Sequence, residues 1–178
     1  MPVFRYRGGQ MSLGEKTCVM GILNVTPDSF SDGGLYEDAE RAVAHALDME
    51  RWGAGILDIG AQSTRPGHTP VSADQEWARL KPILDRLVGR VGVPLSIDTY
   101  YPEVAAAALE AGAHIINDVS GSMENGMAAI AARFGAGLVM MHAGGGADDR
   151  DVQEVPARVH AYFQKALALA CLLYTSPS

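Results

Sequence analysis

WGAGILDIG, residues 52–60, carries the reading that decides the fold. A helical pattern stops at Gly53, a short apolar run follows, and Asp58 closes it. The same order returns in EAGAHIINDVSG, residues 110–121, and in FGAGLVMMHAGGG, residues 134–146, which close on Asn117 with Asp118 and on His142. Gly53, Gly112 and Gly135 read as helix C-terminal caps, because glycine enters the left-handed region at little cost. An apolar run directly after such a cap, with no polar alternation, reads as a strand buried on both faces. CVMGILN (18–24) and VPLSIDT (93–99) end in the same way, at Asn24 and Asp98.

Working outward, amphipathic stretches fill the gaps at 37–51, 72–88, 102–110, 124–133 and 152–170. Ser72 stands as an N-cap with Gln75 in the capping-box position, and Pro102 suits a first helical turn. Five strand-helix units follow one another after VFRYRGGQMSLG (3–14), which reads as a small hairpin. Strict alternation predicts a parallel sheet with helices outside, either doubly wound or closed into a barrel. NVTPDSFSDGG (24–34) does not fit the G-x-G-x-x-G that a dinucleotide fold places after its first strand, and G-x-x-x-x-G-K-[ST] is absent. A (β/α)8 barrel accounts for more, since its chemistry sits at the C-terminal ends of the strands, where Asn24, Asp58, Asp98, Asn117 and His142 all fall. Any one of them could merely end a strand; five together point to a functional face.

Composition narrows the partners. The 178 residues are 48% hydrophobic and 20% charged, enough for one sizeable core in one domain. A net charge of -7 disfavours nucleic acid and anionic membranes. No apolar run approaches the ~20 residues of a membrane span, the start MPVFRYRGG has no export segment, and the 2 cysteines, Cys18 and Cys171, lie in unlike contexts, so a cytoplasmic setting is expected.

DIGAQSTRPG (58–67) offers two hydroxyls and a guanidinium, Ser63, Thr64 and Arg65, on a turn restrained by Pro66 and Gly67. That is suitable chemistry for a phosphate or diphosphate, although a surface arginine bracing a turn would look the same. Asp98 and Asn117 could read a planar, nitrogen-rich ligand by hydrogen bonds, or cap the helices that follow. The five histidines form no zinc pattern, and there is no G-x-S-x-G.

MGILNVTPDSFSDGG, DIGAQSTRPG, SIDTYYPEVA and AHIINDVSG, in this order and spacing, closely resemble the dihydropteroate synthase family, from about Phe4 to about Ala170. The resemblance implies a (β/α)8 barrel and a transferase that joins 6-hydroxymethyl-7,8-dihydropterin diphosphate to 4-aminobenzoate in folate biosynthesis. It implies that Asn24 helps hold a Mg2+ ion on the diphosphate, and that Ser63, Thr64 and Arg65 contact the diphosphate or the aminobenzoate side. Asp98 and Asn117 would bind the pterin edge between apolar walls from Val119 and Met141. Asp98 and Arg65 would be the catalytic pair, stabilising the pterin cation and the leaving group. The loop 26–34, with Thr26, Pro27, Asp28, Ser29 and Phe30, would form the aminobenzoate pocket. A homodimer is implied for the full-length protein. Gln62 stands where many members carry Glu, and Tyr100 and Tyr101 where a small or basic pair is common. A methyltransferase module with the same barrel and a non-catalytic fragment are the competing readings; the loops TPDSFSDGG and STRPG favour the synthase. A barrel needs ~250 residues, so the chain is expected to be the N-terminal part, truncated after five units. CLLYTSPS (171–178) leaves the helical pattern and matches a translated transposase sequencing adapter, so residues 1–170 are expected to form the domain and 171–178 a non-native tail.

Overall fold

The structure is a computed structural model that describes residues 2–25, 34–62, 70–122, 124–143 and 154–175. Strands β1 (Val3–Tyr6) and β2 (Gly9–Ser12) form the expected antiparallel hairpin, with Val3 opposite Ser12. Then come β3 (Met20–Asn24), α1 (Gly34–Arg51), β4 (Ile56–Gly60), α2 (Ala73–Leu87), β5 (Leu95–Thr99), α3 (Pro102–Glu110), β6 (Ile115–Asp118), α4 (Met127–Phe134), β7 (Gly137–Met140) and α5 (Val155–Thr175). Strands β3 to β7 make one parallel sheet in sequential order.

The two faces of this sheet distinguish a barrel from a doubly wound sheet. One face carries Leu23, Leu57, Ile59, Leu95, Ile97 and Ile116, which form a single buried cluster with residues of α1 to α4 such as Val43, Leu84, Leu109 and Met127. Leu138 and Met140 of β7 lie on the same face and line a small cavity with Ala166 and Leu169 of α5. All five helices therefore cover one side, the geometry of a barrel wall. The other face, with Ile22, Asp58, Ser96, Asp98 and Asn117, is the inner face; Ile22 on the outermost strand is 62% exposed. The chain forms five β/α units of a (β/α)8 barrel, as expected.

Local signals act as read. Ser72 Oγ accepts from Gln75 N–H at 3.3 Å while Gln75 Oε1 accepts from Ser72 N–H at 3.0 Å, a complete capping box. Pro102 opens α3. The cap glycines have φ of 101° at Gly53, 114° at Gly112 and 61° at Gly135. Two of them allow a clean comparison. A Cβ added at Gly53 meets nothing within 4 Å, whereas at Gly112 it would lie 3.0 Å from Val88 Cγ1. Gly53→Ala is expected to cost about 1 kcal/mol through backbone strain alone, and Gly112→Ala distinctly more. Urea unfolding of the two variants of the full-length protein checks this; equal losses would mean that Val88 yields freely.

Helix ends differ from the sequence expectation by three residues or more in four places, the first being α1, which starts at Gly34 rather than 37. Helix α4 starts at Met127 rather than 124, because Asn125 Oδ1 accepts from Met127 N–H at 3.0 Å and holds the preceding residues in a turn. Helix α5 starts at Val155 rather than 152 and runs to Thr175 rather than 170, since Leu172, Leu173 and Tyr174 favour a helix and no breaker occurs before Pro177; Tyr174 OH donates to the Ala136 carbonyl at 2.7 Å. No helix among the described residues is long and apolar enough to cross a membrane.

The hairpin blocks one end of the wall. Arg7 N–H donates to the His114 carbonyl at 3.2 Å, the Arg7 guanidinium to the Leu109 carbonyl, and the Tyr6 ring meets the His114 ring edge-on at 6.3 Å. Phe4 packs where a side chain at Gly137 would have to go. Burial, with Arg7 nearby, pushes His114 below its usual range, consistent with its neutral Nδ1 accepting from Leu95 N–H at 3.1 Å. These contacts all lie at the N-terminal ends of the strands.

Candidate active site

The register places the polar strand-end residues on a common level. Asn24 pairs with Gly60, Gly60 with Asp98, Asp98 with Asn117, and Asn117 with Val139. Residues in register on neighbouring parallel strands point to the same face, so Asn24, Asp98 and Asn117 share the inner face near its C-terminal rim. Gly60 keeps this row open: an added Cβ there would sit 3.2 Å from Asp98 Oδ2.

Asp58 departs from the expectation that it closes its strand. Strand β4 continues to Gly60, and Asp58 lies two residues deeper, in register with Ser96 and only 3% exposed. Its Oδ2 accepts from Asn117 Nδ2 at 3.0 Å. Its Oδ1 and Ser96 Oγ are buried without hydrogen-bond partners. The motif concealed this depth because Ile56, Leu57 and Ile59 flank Asp58 with no sign of which face it takes.

Asp98 is half-buried, and burial first, then the negative charges of Asp58 and Glu76, push its carboxyl up to about 6. It caps no helix: the N-cap of α3 is Tyr101, without a side-chain hydrogen bond. Asn117 is committed to Asp58 and does not cap either. Asp118, on the outer face, instead closes the turn after β6: it accepts from Ser120 N–H at 2.9 Å and from Asn125 Nδ2 at 3.0 Å, and the N-cap of α4 is Gly126.

Glu76 is the site-proximal residue that sequence reasoning missed. Its place in the first turn of α2 suggests a solvated acid favoured by the helix dipole, yet it is 0% exposed. Burial raises its pKa, opposed by hydrogen bonding with Thr99 and then Gln62 and by the charge of Arg79. Gln62 Nε2 donates to Glu76 Oε2 at 2.6 Å and Gln62 Oε1 accepts from Tyr100 OH at 2.9 Å. Arg79 Nη1 donates to the Ala61 carbonyl at 3.0 Å, and Tyr101 OH to the Val71 carbonyl at 2.8 Å. Ala61 and Gln62 after β4 and Val71 before α2 are thereby tied down from both sides. The two departures noted in sequence, Gln62 and the tyrosine pair, are partners in these hydrogen bonds.

Val119, half-buried, follows β6, and Met141, 41% exposed, follows β7, where its carbonyl accepts from Tyr162 OH at 2.9 Å. His142 stacks edge-on to Tyr162 at 4.9 Å, so α5 braces this rim. Thr26, Pro27, Asp28, Ser29, Phe30, Ser63, Thr64 and Arg65 lie outside the described residues. A groove of about 570 Å³ lined by Tyr6, Lys16, Cys18, Gly55 and Pro94 lies at the opposite, N-terminal end and includes none of the strand-end polar residues.

Comparison with known proteins gives the family. Residues 20–171 match the family described as pterin binding enzyme. The chain belongs to the pterin-binding enzyme family. Among its pterin-binding relatives, the dihydropteroate synthase of Bacillus subtilis is 49% identical over 141 residues, 79% of this chain and 50% of that protein. That of Clostridium beijerinckii is 46% identical over 75% of this chain and 50% of that protein. The chain spans about half the length of these curated relatives. The dihydropteroate synthase of Xanthomonas albilineans, solved with 4-aminobenzoic acid, superposes with a TM-score of 0.86 at 41% identity, covering 98% of this chain and 64% of that one. The same enzyme in complex with 7,8-dihydropteroate gives a TM-score of 0.82 at 38% identity, covering 98% and 62%.

Proposed function

We propose that the full-length protein is a dihydropteroate synthase, which condenses 6-hydroxymethyl-7,8-dihydropterin diphosphate with 4-aminobenzoate to give 7,8-dihydropteroate and diphosphate. The observation that carries this is the partly buried Asp98 beside Asn117 on the inner rim of a pterin-binding barrel. The Xanthomonas albilineans structures with 4-aminobenzoic acid and with 7,8-dihydropteroate support the same substrates.

In this reading the C–O bond to diphosphate breaks with its electron pair leaving on the diphosphate oxygen. The aniline nitrogen of 4-aminobenzoate then attacks the exocyclic carbon and loses a proton to the medium. No protein nucleophile is required. With a pKa of about 6, Asp98 is mostly ionised at neutral pH, so its carboxylate accepts ring N–H donors and stabilises the positive charge that develops on the pterin. Arg65 and Thr64, with Ser63, would bind the departing diphosphate, and Val119 and Met141 would flank the pterin. Residues Thr26 to Phe30 would shape the aminobenzoate side.

Asn24 fits a Mg2+ role: its exposed side chain at the end of β3 offers a hard carbonyl oxygen, and Mg2+ commonly combines one or two protein oxygens with substrate phosphates and water. When bound, the ion would neutralise charge on the diphosphate. A homodimer and a cytoplasmic setting belong to the same proposal and rest on the sequence resemblance and composition.

The test is turnover by the full-length gene product. Diphosphate release that requires both substrates and Mg2+ and yields dihydropteroate is the expected result. Methyl transfer from a methylated folate to a corrinoid acceptor, without dihydropteroate formation, would replace the proposal with the methyltransferase reading.

A further inference from the structure

Asp58 and Asn117 stand on β4 and β6 with β5 between them, yet their side chains meet at 3.0 Å. Ser96 makes this possible, because it is the β5 residue in register with Asp58 and its side chain is too short to part the two neighbours. Asn117 lies one inner-face position nearer the rim, level with Asp98. The two ends of the Asn117 amide are chemically unlike: the nitrogen only donates and the oxygen only accepts, while a carboxylate only accepts. Facing Asp58, the amide therefore turns its nitrogen down and leaves Oδ1 for whatever occupies the rim. Asp98 supplies carboxylate oxygens on the same level. Asp58 is 3% exposed, and its second oxygen is buried without a hydrogen-bond partner.

We propose that Asp58 is a positioning residue that sets the hydrogen-bond polarity of the pocket: it holds Asn117 so that the amide oxygen and the Asp98 carboxylate together receive neighbouring N–H donors. This selects a 2-amino heterocycle and rejects a ring that presents a carbonyl oxygen at that edge, because two facing acceptors would be left buried and unpaired. The inference rests on the pterin reading above.

Binding of 6-hydroxymethylpterin and of 6-hydroxymethyllumazine, which carries a carbonyl in place of the 2-amino group, is measured by calorimetry on the full-length gene product. Wild type is expected to favour the pterin. In Asp58→Asn the introduced amide can offer either end to Asn117, so the preference should narrow about tenfold or more, the equivalent of one misplaced hydrogen bond. Exchanging both residues, Asp58→Asn with Asn117→Asp, again fixes a donor below and an acceptor facing the ligand, and should restore the preference. A purely structural role would weaken both ligands alike and leave their ratio unchanged in Asp58→Asn, which overturns the proposal. Should that variant fail to fold, the exchanged pair decides: retained preference supports the inference and lost preference overturns it. Wild type that binds neither ligand sinks the pterin reading and the inference with it. Wild type that favours pterin, with the single variant equally selective, sinks the inference alone.

Discussion

Asp98→Asn in the full-length protein is expected to weaken pterin diphosphate binding about thirtyfold, roughly 2 kcal/mol, while the fold survives. The loss follows from replacing a charged acceptor in a partly enclosed site with a neutral amide that also presents a donor. The fold survives because Asp98 is not a structural partner of the wall; burial and the neighbouring charges of Asp58 and Glu76 disfavour its ionised form. The same residue gives a pH signature. A carboxyl raised from 3.8 to about 6 in the folded state binds more protons there than in the unfolded chain. Its contribution to stability is thus greatest below the unfolded value and is lost as pH rises through about 6. The variant should lack this part of the decline, so its unfolding midpoint should gain on wild type between those two pH values. Calorimetric titration with unchanged affinity would remove Asp98 from the pterin site, and parallel pH profiles would show that its carboxyl is not held in the folded state.

Expressed alone, the 178-residue chain is expected to self-associate and to lack a cooperative thermal transition. Among the described strands, β3 and β7 are the outer members of the sheet, each with one edge not paired to another strand of it. Unpaired edges template association between chains. The inner face, which a closed barrel would cover with opposing strands, leaves Ile22 62% exposed, and α5 leaves Leu167 55% and Leu172 65% exposed. Apolar surface of this kind drives association, and a net stability of only ~5–15 kcal/mol leaves little to oppose it. Sedimentation velocity and scanning calorimetry decide the matter, with the full-length gene product as the monodisperse reference. A monomeric 178-residue chain that melts in one sharp step would show that five units of the barrel suffice for a stable domain.

The sequence by itself determined the five β/α units, the hairpin, the capping box at Ser72 and the three glycine caps. These are local matters: a left-handed φ, a side chain reaching three residues along, and an apolar run bounded by both can be read from neighbours in the chain. It also placed Asn24, Asp98 and Asn117 at the C-terminal ends of strands, because strand ends are where apolar patterning stops. The tertiary structure alone decided how deep each polar group sits and what it faces. Asp58 looked like another strand end until the parallel register set it beside Ser96 and across β5 from Asn117. Glu76 looked like a solvated helix-start acid until tertiary packing enclosed it with Gln62, Tyr100 and Arg79. The choice between a barrel wall and a doubly wound sheet was settled in the same way, by all the helices lying over the Leu57 and Ile97 face. Hydrogen bonds and buried charges between distant segments depend on strand register and curvature, and a pattern that repeats along the chain carries neither.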